Sequence, residues 1–560
     1  MKSLISDKTK ALMRLVDIFL FSAVITPIII FWSTKKVIMA EDAFIAFRYV
    51  KNLASGLGYV WNPGGDEVFG STSFLWTILL AFILKFSSID ILSLTLALNF
   101  VLLVLTSITI YLTIKKILNL HQSYALFSVA LFSLSRAYIL AKLGFDCIFF
   151  TTILTVQFSL LVLMVSKNKQ KILYQIAFLT ANLLLVLARP EGIMISLFSL
   201  MIVIILNSDL RVKNFAILSS FVLIIPIILF HILQISYFGY LFPNTLYVKL
   251  TSLDSVFNTL FSPWGTVWVY KDFLFSGIPL IIVVTIGIWL VLQKTETFLH
   301  EVLLLLPTGL YLIGYLFIVP MQNVEHRFQF VIVPILLITF VKALNYLISE
   351  NISTKIRECI FIFHKMEKKG IRTYIPLIQT IWLILVIAGM FFASYSEAIN
   401  FDNEGLIDER SSFGKALSPF AHLGYKIAVT EAGQIPFHSN WISLDVIGLN
   451  DEHIAHKGFN ITYIEEFDPD LIQFHAYSSN FTSQWSSNAF WNKTVSILIE
   501  YCLEKNFTLV IITKPDLRIM GGYEWIFMKN KLEYAFEIAT ALTNLKEINY
   551  HFKVNITELQ

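Results

Sequence analysis

Residues 89–114, IDILSLTLALNFVLLVLTSITIYLTI, decide the class of the fold. The run carries one charged side chain, Asp90, and exceeds the ~20 apolar residues that a helix needs to cross a bilayer. The 560-residue chain has the same character, because 56% of its residues are hydrophobic, only 14% are charged, and its mean hydropathy is +0.71. A soluble globule is about half apolar and a quarter charged. The sequence therefore predicts a polytopic α-helical membrane protein.

Ten other apolar stretches lie within the first 394 residues, so about eleven membrane-spanning helices are expected. Forty-nine Phe and 23 Gly suit lipid-facing helices, whereas the strands of a β-barrel would alternate apolar and polar residues. The first stretch has no small-residue cleavage site and is predicted to be retained in the protein. Besides 89–114, the predicted spans are Leu15–Trp32, Tyr124–Ala141, Cys147–Ser166, Ile172–Ala188, Gly192–Asn207, Phe215–Tyr237, Phe273–Leu292, Phe298–Pro320, Phe328–Ile348 and Tyr374–Ser394.

The apolar segment Ser73–Phe86 is too short for a span and is predicted to lie in the membrane interface. If it does not cross, about 18 Lys and Arg, including those of Lys355–Arg372, face the cytoplasm, against roughly nine in the outer loops. If it crosses, nearly all the basic clusters move outside. The positive-inside rule therefore places residues 33–72, residues 238–272 and everything after Ser394 outside the cytoplasm.

The chain is predicted to divide into a transmembrane domain, residues 1–394, and an extracytoplasmic (periplasmic) soluble α/β domain, residues 395–560. In the second domain, Lys426–Thr430 and Thr508–Thr513 are predicted strands and Trp491–Leu503 an amphipathic helix. No CxxC or HExxH motif predicts a metal site, and no basic run predicts nucleic-acid binding.

The stretch after the first span, residues 41–76, is EDAFIAFRYVKNLASGLGYVWNPGGDEVFGSTSFLW. It resembles the pattern D-D-A-[YF]-I-[SA]-x-R-Y-x-x-N-L, continued by G-x-G-L-V-[WF]-N-P-G and G-[YS]-T-[NS]-F-L-W. This pattern belongs to integral-membrane glycosyltransferases of the GT-C superfamily, near the mycobacterial terminal arabinofuranosyltransferases. Asp42 and Arg48 match it, and Glu41 stands where the first Asp is usual.

Further segments resemble the same family in the same order, up to about Ala455. They are Gly144–Cys147 with Asp146 at an acidic position, Arg189-Pro190-Glu191-Gly192, Tyr237–Gly239 with Pro243-Asn244-Thr245 and Lys249, His326-Arg327-Phe328, Ala432–Pro436 and Asp445–Asp451. Gln322-Asn323 stand where the family has Gly-Asp. The predicted topology puts the ionisable residues among them at the outer membrane face. Gathering charges there is costly without a polar cavity, which supports a common site.

The resemblance implies an inverting GT-C-type transferase in a prokaryotic cell (inner) membrane. It would move a sugar from a polyprenyl-phosphate donor to an extracytoplasmic glycan, lipid or protein acceptor, and the family favours a furanose such as decaprenyl-phospho-arabinofuranose. Such a transfer needs a base for the acceptor hydroxyl and cations for the leaving phosphate. Asp42 is the candidate base, and Glu41 or Asp146 orients it. The candidate phosphate ligands are Arg327, Arg189, Lys249 and His326, and the other candidate site residues are Arg48, Glu191 and Asn244.

Simpler interpretations of several residues stay open. Arg189 and Glu191 are also typical of a helix break with an ion pair, and Lys249 of an interfacial anchor. Asp146 is also expected at a helix N-terminus, and His326 as a structural neighbour. His438 and His475 are assigned to the fold of the soluble domain.

Two other classes of function are compatible with many spans. A flippase or transporter of lipid-linked sugars would place ionisable residues near the bilayer midplane, whereas these acids lie at one face. A sensor or scaffold would not need carboxylates beside the first span. No cofactor is implied by the sequence, nor is a divalent cation; the expected partners are the lipid-linked donor, its acceptor and membrane lipid.

The topology gives the first testable prediction. In a chain whose native cysteines are replaced by Ser, a membrane-impermeant maleimide should label Cys introduced at Asp66 or Lys493 in intact cells. Cys introduced at Lys368 should react only after the membrane is opened. A protected tail would contradict the predicted orientation.

Overall fold

A computed structural model describes residues 39–166 except 134 and 136, 171–249, 278–314 except 294, 327–349, 409–514 except 482–484 and 487–488, 522–554, and 18–33 except 19, 23, 27 and 31. The chain forms two compact units. The helical unit contains Met1–Val37, Thr95–Ile228 and Thr251–Glu404, and the sheet unit contains Ile38–Leu94, Leu229–Leu250 and Gly405–Gln560. The predicted boundary at residues 394/395, the span Tyr374–Ser394 and the stretch Lys355–Arg372 lie outside the described residues.

Apolar helices account for most of the first 349 residues that the structure describes. Four of them are long and apolar enough to cross a membrane: Ile91–Ile117, Cys147–Val165, Leu210–Phe238 and Glu296–Gly314. Leu218, Phe221 and Ile225 on the third of these helices are mostly exposed, as lipid-facing side chains would be. Shorter helices are Gln122–Ser133, Ala137–Lys142, Ile172–Ala188, Glu191–Leu206, Ile278–Leu292, Arg327–Phe330 and Val333–Ser349. The chain is thus a multi-pass membrane protein, and the count of about eleven spans stays a prediction.

Two predicted apolar segments, Tyr124–Ala141 and Ser73–Phe86, correspond to shorter helices in the structure. The predicted span Tyr124–Ala141 was wrong as one continuous helix, since the chain forms helices Gln122–Ser133 and Ala137–Lys142. Between them the Ser135 hydroxyl donates to the Phe132 carbonyl, which offers the backbone an alternative to helical bonding. The helix Phe74–Lys85 has 12 residues, about 18 Å at 1.5 Å per residue, and this length agrees with a segment that does not cross.

The sheet unit is built on six strands in the order β2-β1-β3-β5-β4-β6. They are β1 Lys426–Val429, β2 Ile442–Asp445, β3 Leu471–Ala476, β4 Thr508–Thr513, β5 Tyr523–Met528 and β6 Tyr550–Lys553. β1 pairs parallel with β2 and β3, while β5, β4 and β6 continue the sheet in antiparallel pairs. The predictions of strands at Lys426–Thr430 and Thr508–Thr513, and of the helix seen at Ala489–Glu504, are confirmed.

Helices cover both faces of this sheet, and all six residues of β3 are buried. The helices of the sheet unit are Glu41–Ala54, Phe74–Lys85, Asn244–Lys249, Glu409–Leu417, Gln434–Ser439, Glu452–Lys457, Ile461–Phe467, Ala489–Glu504 and Ala535–Thr543. The core on one face includes Ile427 and Val429 of β1 together with Tyr49 and Trp61. Because Tyr49 belongs to Glu41–Ala54, this core fixes that helix, and with it the predicted acidic pair.

Candidate active site

Glu41 and Asp42 occupy the first turn of the helix Glu41–Ala54 and are both partly buried. The Glu41 Oε1 atom accepts the backbone N–H groups of Gly433, at 2.7 Å, and Gln434, at 2.8 Å. A Cβ atom on Gly433 would lie 2.1 Å from the Glu41 carbonyl oxygen. Only glycine permits this approach, so the Ala432–Pro436 motif brings the segment after β1 against the acidic pair.

Arg410 in the helix Glu409–Leu417 connects several carboxylates. Its Nη1 atom lies 3.1 Å from Glu431 Oε2 and 4.0 Å from Glu41 Oε2. Its Nη2 atom donates to Glu524 Oε1 at 2.6 Å, and Nε donates to the same oxygen at 3.0 Å. The planar guanidinium thus binds carboxylates from three separate parts of the chain, the geometry for which Arg is suited.

The sheet topology supplies the other members of this group. Glu431 follows the end of β1, and His475 lies at the end of the parallel neighbour β3. Glu524 of β5 is the register partner of His475, and its Oε1 atom lies 3.0 Å from His475 Nδ1. We call Glu41, Asp42, Arg410, Glu431, His475 and Glu524 the acidic cluster. It occupies the carboxyl edge of the parallel strands, where α/β sheets commonly bind ligands.

Burial and neighbouring charges shift the pKa values of two of these carboxyl groups, Glu431 and Glu524. Burial alone would raise the pKa of Glu524, but Arg410 and the hydrogen bond from His475 outweigh it and lower that pKa to about 2. Burial raises the pKa of Glu431, and the charges of Glu524 and Asp42 add to this effect against the opposing Arg410 and His475. Glu524 is therefore held as an anion, while Glu431 retains a proton more readily than an ordinary glutamate.

Sequence reasoning did not identify most of the acidic cluster. It assigned His475 to the fold and did not name Arg410, Glu431 or Glu524. Glu431 directly precedes the Ala432–Pro436 motif, which is a local signal that could have found it. No local signal marks Arg410, whose hydrogen bond to Glu524 joins residues 114 apart in sequence.

Arg48, a candidate site residue, is bound to the backbone of its own unit. It is 4% exposed, and burial lowers the pKa of its guanidinium to about 9. Nε donates to the Trp61 carbonyl at 2.6 Å, and Nη2 donates to Trp441 O and Asn62 Oδ1, both at 2.8 Å. Nη1 donates to the Pro436 carbonyl. These bonds give Arg48 a structural role between the helix Glu41–Ala54 and the segment around β2.

The predicted residues of the helical unit form a second group. Arg189, at the end of the helix Ile172–Ala188, places Nη1 2.7 Å from Asp146 Oδ2 and Nη2 3.3 Å from Glu191 Oε1. The Arg327 guanidinium lies 4.0 Å from the centroid of the Phe145 ring and is 8% exposed. We call Asp146, Arg189, Glu191 and Arg327 the arginine cluster. Its two cations and two carboxylates balance in formal charge.

The remaining candidate site residues are Asn244, Lys249 and His326. Asn244 is buried, and its backbone N–H donates to the Phe69 carbonyl at 2.9 Å. Lys249 ends the helix Asn244–Lys249, and both its side chain and His326 lie outside the described residues. Lys142 is a buried cation that sequence reasoning missed, although a lysine four residues before Asp146 and next to an apolar run was a usable signal. Within the described ranges, no three His, Cys, Asp or Glu side chains are grouped to hold a metal ion.

The fold is similar to those of solved structures. ArnT from Cupriavidus metallidurans bound to undecaprenyl phosphate aligns with a TM-score of 0.52 and 10% identity, over 91% of this chain and 97% of that chain. Its apo state gives 0.53 and 10%, over 92% and 98%. The Archaeoglobus fulgidus oligosaccharyltransferase complex with Zn and sulfate gives 0.49 and 9%, over 89% and 72%. The chain thus shares its fold with ArnT.

Sequence comparisons add one family match. Residues 404–527 match the model of a domain of unknown function, DUF8728. No curated protein matches the chain significantly.

The structural role of Arg48 is testable by Arg48→Lys. A single ammonium group cannot reach the four acceptors of the guanidinium, so this variant should lose about 2–4 kcal/mol of unfolding free energy. Thermal unfolding of the purified protein measures the loss, and Lys505→Met at an exposed ion pair is the control. A fully stable Arg48→Lys protein with impaired activity would instead make Arg48 a site residue.

Proposed function

We propose that this protein is an inverting glycosyltransferase that takes a sugar from a polyprenyl-phosphate donor to an extracytoplasmic glycan, lipid or protein acceptor. The observation that carries the proposal is the acidic cluster, in which Glu41 and Asp42 begin the helix Glu41–Ala54 and Glu41 binds the segment that follows Glu431. The fold shared with ArnT, which was solved with undecaprenyl phosphate, supports a lipid-phosphate carrier. The family resemblance of residues 41–76 supports a furanose as the sugar.

Asp42 is the general base in this proposal. Its carboxylate takes the proton of the acceptor hydroxyl while the acceptor oxygen forms a bond to the anomeric carbon of the donor. The bond from that carbon to the phosphate oxygen breaks, and its electron pair leaves on the polyprenyl phosphate. Attack from the face opposite the leaving group inverts the anomeric centre. Glu41 is the better candidate for positioning, because two backbone N–H groups already hold its Oε1 atom.

The arginine cluster is proposed to bind the donor phosphate. A guanidinium can donate two parallel hydrogen bonds to phosphate oxygens. Asp146 and Glu191 hold Arg189 in place, and both Arg189 and Arg327 are proposed phosphate ligands. The Arg327 guanidinium lies over the Phe145 ring, and this cation–π contact helps to hold it in place. We place the reaction at the extracytoplasmic face of a prokaryotic cell membrane, in accord with the predicted topology.

The role of Asp42 is tested by Asp42→Asn, which keeps the size of the side chain but cannot accept the proton. Sugar transfer should fall on the order of 10²–10⁴-fold, while donor binding persists. Transfer is measured as sugar mass added to acceptor glycans in membranes that contain the protein, supplied with decaprenyl-phospho-arabinofuranose. Asp66→Asn, at an exposed position in the same loop, is the matched control.

Two results would contradict this assignment. Near-normal transfer by Asp42→Asn would remove Asp42 as the base. Translocation of the donor without any transfer by the unmodified protein would identify a flippase.

The phosphate site is tested by Arg327→Ala. Loss of a charge-assisted contact of about 1.5–3 kcal/mol should raise the donor KM roughly 10- to 150-fold. Arg211→Ala, which removes an exposed arginine, should leave that KM unchanged. Unchanged donor kinetics in a folded Arg327→Ala protein would exclude this arginine from the donor site.

A further inference from the structure

Tyr477 is an exposed aromatic residue that directly follows β3, at the edge of the acidic cluster. Its ring meets the ring of His475 edge to face, with centroids 5.3 Å apart and an interplanar angle of 86°. Because His475 Nδ1 lies 3.0 Å from Glu524 Oε1, Tyr477 touches a member of the acidic cluster. Tyr477 itself is 42% exposed. It therefore presents open aromatic surface beside that cluster.

Hydrogen bonds from buried tryptophans hold the backbone around Tyr477. The Tyr477 N–H donates to the Trp485 carbonyl at 3.0 Å, and Trp525 Nε1 donates to the carbonyl of the next residue, Ser478, at 2.9 Å. The rings of Trp485 and Trp525 are both buried and lie 5.6 Å apart. The exposed Tyr477 ring is thus carried by a fixed backbone. A tyrosine held in this way offers a large contact area and loses little conformational freedom when a ligand binds.

The segment that carries Tyr477 has no charged side chain. Residues 477–488, YSSNFTSQWSSN, connect β3 to the helix Ala489–Glu504 and combine aromatic rings with hydroxyl and amide groups. An anionic lipid surface is bound by Lys and Arg, and neither occurs in this segment. A neutral glycan instead needs an apolar surface for the C–H groups of its sugar rings and hydrogen-bonding partners for its hydroxyls. Tyr477 supplies the first, and the exposed Asn480 supplies the second.

We propose that Tyr477 binds a sugar ring of a neutral glycan acceptor, at a position next to the sugar that receives the transferred residue. The inference rests on the proposed transferase function and narrows its acceptor to a glycan of at least two sugars. Asp42, the proposed base, acts on the reacting hydroxyl, while Tyr477 lies at the opposite end of the cluster, against His475. A neighbouring sugar of the same acceptor packs on the Tyr477 ring. Tyr477 makes no covalent bond and takes no part in the proton transfer.

The test uses the full-length protein in membranes, with decaprenyl-phospho-arabinofuranose as donor and two neutral acceptors, methyl arabinofuranoside and an arabinofuranose tetrasaccharide. Tyr477→Ala should raise the KM of the tetrasaccharide about tenfold, because the aromatic surface is lost, and should change kcat much less. The KM of the single sugar is the internal reference, since one sugar at the reacting position does not reach Tyr477.

Two further variants show whether the ring itself is responsible. Tyr477→Phe keeps the aromatic surface and should keep the tetrasaccharide KM of the unmodified protein. Phe552→Ala removes another exposed ring of the same unit, from the edge strand β6, and should leave both acceptor KM values unchanged. If Tyr477→Ala does not fold, Tyr477→Leu takes its place, because leucine keeps an apolar side chain without a flat ring.

The inference is overturned if the folded variant without the ring keeps the tetrasaccharide KM, and the proposed function then stands. An equal rise of KM for both acceptors also overturns it, since the substitution would then have disturbed the reacting centre. Transfer to a lipid or protein but to neither sugar overturns the choice of a glycan. If the unmodified protein transfers no sugar, the transferase proposal fails, and calorimetric titration with the tetrasaccharide decides the other: binding that Tyr477→Ala weakens supports the glycan site, and absence of binding overturns it.

Discussion

The attachment of the helix Glu41–Ala54 to the sheet unit is the constraint on which the acidic site depends. An isolated helix of 14 residues is marginal in water, so its position must come from packing and from bonds to neighbouring segments. Arg48 provides several of those bonds from a buried guanidinium, and Tyr49 buries its ring in the sheet core. A buried cation is costly unless its hydrogen bonds are satisfied. This helix therefore holds its acids at one fixed place beside the end of β1.

The two clusters differ in charge balance, and the difference suits their proposed tasks. In the arginine cluster, two cations meet two carboxylates, and the Arg327 guanidinium lies over the Phe145 ring. A guanidinium can donate two parallel hydrogen bonds to phosphate oxygens. In the acidic cluster, one guanidinium faces four carboxyl groups, so an added proton reduces repulsion. Phosphate binding requires cations, and proton transfer requires carboxylates.

The sequence predicted the parts of the structure that depend on local patterns. Apolar runs located the long helices, and the buried strand Thr508–Thr513 was placed correctly, because both signals lie within one element. The break near Ser135 was missed, since hydropathy does not register a local side-chain hydrogen bond. Arg410, Glu431 and Glu524 were beyond prediction for a different reason. They meet because β5 lies antiparallel beside β3, and the strand order of a mixed sheet is not encoded in any single segment.

The substitution of Glu41 for the usual Asp of the family pattern now has a physical interpretation. Glutamate is one methylene longer than aspartate, and in this chain the Glu41 carboxylate reaches the amides of Gly433 and Gln434. Hydrogen bonds from backbone N–H groups favour the charged form of a carboxylate and make it a poorer proton acceptor. Glu41 is thus suited to hold the segment after β1 in place. Asp42, the next residue in the same helical turn, is the proposed base.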